Sequence, residues 1–192
     1  MHPFDYIVLF FAIPVGLALA EMAQGLALAL RRRQKFAIGW LTPLLVLFLL
    51  ILTSLLIESF WDFRERLNVD APVIFAGFVF TYAFYVAASF VFPEDFEEGM
   101  SLDDWFMAKR AYSLGWTSIL VLGFFFAYVA MAAGTGVKYP VVMGLVTATF
   151  FAIFFIPVIL AIRAKTVRGA TIAMVALNAL YILLAVSLVM SR

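Results

Sequence analysis

Residues 6–33 read YIVLFFAIPVGLALAEMAQGLALALRRR, an apolar run that ends in three arginines. An α-helix needs about 20 predominantly apolar residues to cross a bilayer, so this stretch predicts a transmembrane helix over about 6–30. Glu21 lies well inside that helix, where an acidic side chain costs at least ~2.5 kcal/mol unless it is neutralised, paired or facing water. Glu21 is therefore the first candidate for a functional residue.

The composition of the whole chain extends this interpretation. Of its 192 residues, 66% are apolar and 13% are charged, whereas soluble domains have about 45–50% apolar and about 25% charged residues. We therefore predict an all-α, polytopic membrane protein, a bundle of six transmembrane helices that forms one domain over residues 1–192. The predicted spans are about 6–30, 40–57, 73–92, 114–133, 140–162 and 169–190.

The distribution of lysine and arginine predicts which side faces the cytoplasm, because cytoplasmic loops carry the excess of these residues. One side of the predicted bundle has nine of them and the other has four. The richer side has Arg31, Arg32, Arg33, Lys35, Lys109, Arg110, Arg163, Lys165 and Arg168, and the poorer side has Arg64, Arg66, Lys138 and Arg192. We therefore expect a multi-pass protein of the bacterial inner membrane with both termini on the periplasmic side.

Two loops between the predicted spans are rich in charge. Residues 58–72 are amphipathic, and we expect the second helix to continue through Trp61 at the outer interface. In the acidic stretch 94–104, Ser101 followed three residues later by Asp104 resembles a capping box and predicts a helix start. That helix is expected to follow the inner interface before it turns into the fourth span. The alternative for this loop is a docking site for a divalent cation or a partner.

Four polar residues are predicted to form a layer within the membrane. Glu21 lies ten residues before Arg31, hence ~15 Å below the inner boundary. Asn178 is equally deep on the sixth span, and Tyr82 lies close to that level on the third. Gln24 lies one turn nearer the cytoplasm. We expect these four side chains to form a substrate- or ion-binding site.

One stripe of the first span combines an acid, an amide, a glycine and a proline. Such a stripe is typical of a helix face that is turned into a bundle and away from lipid. In it, Glu21 either belongs to a proton- or cation-binding site on a pathway, or it stays protonated and hydrogen-bonds between helices. The stripe consists of Pro14, Leu17, Glu21, Gln24, Gly25 and Leu28.

Residue types that are absent or rare in the chain exclude several kinds of cofactor, metal and catalytic site. The chain has no cysteine, which excludes disulfides, iron–sulfur clusters and thiolate metal sites. His2 is the single histidine, so one chain cannot supply a bis-histidine haem or a histidine metal cluster. Its position beside the N-terminus also argues against a Ser–His triad. A net charge of +1 gives no basic face for nucleic acid. We expect no catalytic residues, no metal, no cofactor and no enzymatic activity.

Aromatic residues are concentrated in the third span. We interpret them as lipid-facing bulk, and the alternative is an aromatic pocket for a lipid, quinone or pigment. They are Phe75, Phe78, Phe80, Tyr82, Phe84, Tyr85, Phe90 and Phe92.

Three features follow one another along the chain. They are Glu21–Gly25 leading into Arg31–Arg33, Trp61 after a second span rich in Phe and Leu, and Phe92–Asp95 followed by Lys109–Tyr112. In this order the chain resembles a group of small uncharacterised six-span bacterial inner-membrane proteins. The resemblance covers approximately residues 1–115 and implies the six-span fold and the orientation given above. Members tend to carry histidine where this chain has its buried acid, which implies a shared role in proton handling.

The sequence therefore predicts an integral membrane protein of transporter or channel-like type with its polar centre at Glu21. We expect it to work within the lipid bilayer as a homo-oligomer or with membrane-protein partners. The alternative is a non-catalytic accessory or structural subunit of a larger membrane complex that binds lipid or pigment.

Overall fold

Six α-helices account for most of the described part of the chain. The structure is a computed structural model that describes residues 3–34, 37–63, 71–95, 99, 101–133 and 140–190. Among these residues there is no β-strand, and one isolated bridge pairs Ala37 with Ser101, so the all-α prediction is confirmed for them. The helices are α1 (Pro3–Arg31), α2 (Leu41–Phe63), α3 (Ala71–Ser89), α4 (Leu102–Ala133), α5 (Pro140–Arg163) and α6 (Val167–Met190).

Each predicted span falls on one of these helices, and α4 differs most from its prediction. α4 begins at Leu102, directly after Ser101, and has 32 residues, which is about 48 Å. It continues without a turn because no proline interrupts it, so the expected separation into an interfacial helix and a fourth span is wrong. α2 continues past Trp61 as expected, whereas residues 64–70 lie outside the described part of the chain.

Three helices contain a described stretch that is long and apolar enough to cross a membrane. These stretches are Phe11–Arg31, Leu41–Glu58 and Val167–Ser187. The apolar stretches found in α3 and α5, Gly77–Ser89 and Thr149–Arg163, are shorter. Helices with membrane-span character are therefore present, and six crossings remain a prediction.

α1 packs mainly against α3, and the two helices run in the same direction. A Cβ atom added to Gly25 would meet the ring of Phe92, and one added to Gly77 would meet the ring of Phe11. The sequence offset is 67 in the first pair and 66 in the second, as expected of parallel neighbours. Two glycines thus allow Phe11 of α1, and Phe92 just after the end of α3, to lie directly against the backbone of the other segment.

The best-buried part of the interior lies where α2, α5 and α6 meet. Phe48, Phe154 and Tyr181 are almost fully buried there. The ring centroids of Phe48 and Tyr181 are 5.2 Å apart in an edge-to-face arrangement, a geometry that aromatic pairs prefer. α1 lies at the opposite edge of the bundle, because it packs on α3 and only slightly on α2. Much of the α1 surface is consequently exposed.

The start of α4 is joined to the loop between α1 and α2. The Leu102 amide donates a hydrogen bond to the Ala37 carbonyl at 3.0 Å, and the Leu41 amide donates to Oδ1 of Asp103, also at 3.0 Å. Asp103 thereby satisfies one of the unpaired amides that begin α2. Gly39 has a φ of +63°, and a Cβ atom there would lie 2.1 Å from Cγ of Asp103, so this close approach requires glycine.

Replacing Asp103 by alanine should lower the free energy of unfolding by about 1 kcal/mol, because the Leu41 amide loses its cap. The matched control is Asp104→Ala, since Asp104 is exposed in the same first turn of α4 and both changes remove an acid from that helix start. Unfolding in detergent should show the larger loss for Asp103→Ala. Equal losses would contradict a capping role.

Candidate functional site

Asn178 is buried between α6 and α2, with 3% of its surface exposed. Its Nδ2 donates to the Leu44 carbonyl at 3.0 Å and to the Met174 carbonyl of its own helix at 2.8 Å. Because Leu44 lies in the first turn of α2, Asn178 is level with the beginning of that helix. Its amide therefore fastens α6 to α2.

Tyr181 lies one turn after Asn178 and was not identified from the sequence as a candidate. Its ring packs edge-to-face on Phe48 and Phe154. Among the described residues, the Tyr181 hydroxyl and Oδ1 of Asn178 are the buried side-chain polar atoms without a hydrogen-bond partner. The sequence did contain a signal for this pair, because Asn178 and Tyr181 are three residues apart and residues at that spacing are neighbours on a helix surface.

Glu21 and Gln24 are exposed on the outside of α1. The buried side of this helix contains Ala18, Met22 and Ala29, which pack in the core. The residues of the predicted polar stripe therefore do not share one environment. Pro14 is buried and Gly25 contacts Phe92, whereas Leu17, Glu21 and Gln24 face outward.

Tyr82 is also exposed, with 58% of its surface accessible. The α1–α3 offset of 66–67 residues places Glu21 level with residues 87–88 of α3. Tyr82 is five to six residues away from that level, which corresponds to ~8 Å along the helix. The depth comparison made from the sequence was inaccurate because it counted inward from loops and assumed that the helices end at one level.

The four predicted site residues thus lie in two different environments. Asn178 is at the buried α2–α6 contact, whereas Glu21, Gln24 and Tyr82 lie on the outer surfaces of α1 and α3. α1 packs on α3 and slightly on α2, so the expected layer that joins Glu21 to Asn178 is not assembled within one chain. Binding of a substrate or an ion by these residues stays a prediction.

The other buried polar residues also hydrogen-bond to backbone carbonyls. Ser113 of α4 donates to Ala87 of α3 at 3.4 Å, and Thr42 of α2 donates to Leu102 at 3.2 Å. Thr53, Thr81 and Thr117 donate to carbonyls of their own helices. The buried serine and threonine hydroxyls of the described helices therefore hydrogen-bond to backbone carbonyls, which is a common way to satisfy such groups in membrane helices.

Arg110 makes the most extensive polar contact at the end of the bundle where the lysines and arginines collect, here called the basic end. Its guanidinium donates to the Ile162 carbonyl at 2.9 Å and to the Ala164 carbonyl at 3.0 Å. It also donates to the Met107 carbonyl of its own helix. Arg110 thus caps the end of α5 from α4. From the sequence it was counted toward orientation and placed on an interfacial helix. Its contact with α5 was not predicted, because the Ile162 and Ala164 carbonyls are more than 50 residues away.

Comparison with protein-family models, with curated proteins and with solved structures finds no match. The resemblance to small six-span inner-membrane proteins accordingly stays a prediction. The helices themselves are compatible with an integral membrane protein, and the described residues contain no group of three or more side chains suited to hold a metal ion.

Proposed function

We propose that the chain is a six-span integral membrane protein that assembles with a second copy of itself through α1 and serves as a non-catalytic membrane subunit. The position of Glu21 carries this proposal, because the residue is exposed on an apolar helix and not enclosed by the bundle. An acidic side chain that faces lipid is unfavourable. Contact with a second copy would remove Glu21 from lipid.

The arrangement of the helix ends supports six crossings. The bond from Leu41 to Asp103 joins the α1–α2 loop to the start of α4, and the bond from Arg110 to Ala164 adds the α5–α6 turn. These turns therefore share the basic end. Trp40 is exposed there, and Lys109 Nζ lies 5.4 Å from the ring centroid of Trp105. Tryptophan beside lysine is typical of a membrane boundary, and the excess of cations favours the cytoplasmic side.

The exposed side of α1 can approach another helix closely. It carries a row of small residues spaced by four, four, three and four positions, which we call the outer face of α1. Gln24 and then Glu21 follow along one edge of this face. A Cβ atom added to Gly16 would meet nothing within 4 Å. Small residues at such spacing let helix backbones pack together in membranes. The row consists of Ala12, Gly16, Ala20, Ala23 and Ala27.

Glu21 and Gln24 make the outer face complementary to itself. They are three residues apart and therefore neighbours on the helix surface. The Gln24 amide has both donors and an acceptor, which a carboxyl group of a second copy can use. In a two-fold symmetric pair every contact occurs twice, so two Glu21–Gln24 contacts form. Hydrogen bonds between membrane helices contribute about 0.6–2 kcal/mol each.

Single cysteines can test this assembly because the chain has none of its own. Ala20→Cys should give a disulfide-linked dimer in oxidised membranes, since the residue lies in the centre of the outer face. Ala179→Cys is the matched control, an exposed alanine on α6. Equal cross-linking of both variants, or no cross-linking of Ala20→Cys, would contradict an α1 interface.

Enlarging Ala20 should weaken the dimer. Ala20→Ile places a branched side chain where the two backbones approach, and overpacking of this kind costs about 1–3 kcal/mol. We therefore expect a roughly 5- to 150-fold loss of dimer affinity. The fraction of dimer in detergent, measured by mass as the protein is diluted, checks this result. Ala179→Ile should leave the dimer fraction unchanged, and an equal loss in both variants would indicate a general effect on folding.

A transporter or channel-like role is the second candidate, with the pathway along α1 between the copies. It is favoured by the Glu21 carboxyl, an ionisable group inside a span, where such groups often handle protons or ions. Proton flux into proteoliposomes separates the two candidates. Flux that Glu21→Gln abolishes while the dimer persists favours transport. A wild-type protein without flux favours the non-catalytic subunit.

A further inference from the structure

A groove of about 450 Å³ lies between α5 and α6 near the basic end. Most of its lining is apolar, and Arg163 is its one charged lining residue. Ile156, Leu160 and Ile172 are more than half exposed along its rim, so the groove opens to the outside of the bundle. It is lined by Ile156, Pro157, Leu160, Arg163, Ala164, Gly169, Ile172, Ala173 and Ala176.

The sequence explains why space remains between these two helices. On α6 three of the four lining residues, Gly169, Ala173 and Ala176, are too small to fill the groove. On α5, Pro157 lies inside the helix, where it removes one backbone hydrogen bond and favours a bend. The groove follows from this local pattern of small residues opposite a proline.

Three exposed cations belong to the segment where α5 turns into α6. Arg163 lines the groove, and Lys165 and Arg168 are next in sequence to the lining residues Ala164 and Gly169. The first turn of α6 is closed by Thr166, whose hydroxyl accepts a hydrogen bond from the Gly169 amide at 3.2 Å. The beginning of a helix also favours negative charge. An anion at this turn would therefore face positive charge from both helices.

Arg110 keeps these three cations available. The last carbonyls of α5 carry partial negative charge and would otherwise attract the nearest cation. The Arg110 guanidinium occupies two of them, on Ile162 and Ala164. Arg163, Lys165 and Arg168 remain on the outer surface of the turn.

We infer that this groove binds an anionic phospholipid, with an acyl chain along the apolar wall and the phosphate at Arg163, Lys165 and Arg168. The apolar lining matches an acyl chain, and the cations match a headgroup that carries net negative charge. Basic pockets between membrane helices on the cytoplasmic side bind such headgroups. A soluble phosphate would use only the charged end and leave the apolar part of the groove without a ligand.

Native mass spectrometry of the delipidated full chain can measure this binding. Dioleoyl phosphatidylglycerol should bind more tightly than dioleoyl phosphatidylcholine, which has the same chains and no net charge. Each cation near an anionic headgroup contributes about fivefold, so the triple variant Arg163→Gln/Lys165→Gln/Arg168→Gln should lose on the order of 100-fold in phosphatidylglycerol affinity. Arg31→Gln/Arg32→Gln/Arg33→Gln is the control, because these exposed cations lie at the same end but not in the groove.

A second pair of variants tests the apolar part of the site without changing charge. Ala176→Phe should fill the groove and weaken phosphatidylglycerol binding, whereas Ala179→Phe, three residues further along α6 and not in the lining, should not. Equal affinity for the two lipids, an equal loss in both triple variants, or unchanged binding by Ala176→Phe would overturn the inference. Glycerol 3-phosphate that binds as tightly as the lipid would likewise overturn it, in favour of a site for soluble phosphate.

Discussion

Replacing Gly25 by leucine should separate α1 from α3 and lower the free energy of unfolding by about 3 kcal/mol. A Cβ atom at Gly25 would lie 2.3 Å from Cδ2 and 2.9 Å from Cβ of Phe92. Phe92 is buried, and Pro93 follows it, so its backbone has little freedom to withdraw. The added side chain must therefore displace the helix, and unfolding in detergent micelles measures the loss.

The control for this variant is Gly123→Leu, because a Cβ atom at Gly123 of α4 would meet nothing within 4 Å. It should change the unfolding free energy by less than about 0.5 kcal/mol. The double variant Gly25→Leu/Phe92→Ala should recover at least part of the lost stability, since removing the ring makes room for the leucine. An equal loss for Gly25→Leu and Gly123→Leu, or no recovery in the double variant, would contradict a steric contact at this pair.

The helices were predictable because length and composition determine them. Apolar stretches bounded by prolines and charges marked all six, since a helix is the way a single apolar segment satisfies its backbone groups in lipid. The continuity of α4 was missed for a physical reason. The capping box at Ser101 and Asp104, followed by Lys109 and Arg110, suggested an interfacial segment. Charge alone does not end a helix, however, and no proline or glycine separates these residues from the span.

The side of α1 that faces the bundle could not be predicted from the helical wheel. The helix is apolar on most of its circumference, so its packing on α3 depends on shape: Phe11 fits at Gly77 and Phe92 fits at Gly25. Each contact joins residues more than 60 positions apart, and no local pattern reveals it. For this reason Glu21 was expected inside the bundle, whereas the structure places it on the exposed side.

The exposed position of Glu21 changes which role its carboxyl group can have. A polar layer inside one chain would have favoured a pathway through the bundle. In the structure, the buried serine and threonine hydroxyls and the Asn178 amide hydrogen-bond to backbone carbonyls, and Glu21 faces outward beside a row of small residues. That combination favours contact between copies over passage through one, which is why assembly is the leading proposal.

Removing the Arg110 side chain should destabilise the basic end more than removing any exposed cation. Hydrogen bonds to charged groups contribute about 1.5–3 kcal/mol, and bonds between membrane helices are weaker than this on average. For Arg110→Ala we therefore expect a loss of about 2 kcal/mol in the free energy of unfolding. Arg110→Lys keeps the charge but not the fork that reaches the Ile162 and Ala164 carbonyls, so it should restore only part of the loss.

Hydrogen exchange gives this prediction a local measurement. In Arg110→Ala, amides at the end of α5 and in the turn at 160–167 should exchange faster, because the carbonyls that hold this turn lose their partner. Arg32→Ala, an exposed cation at the same end, should leave these rates unchanged. Since Ala164 also lines the groove, Arg110→Ala should weaken phosphatidylglycerol binding although Arg110 is not a lining residue. Unchanged exchange at 160–167 would show that Arg110 does not hold the turn.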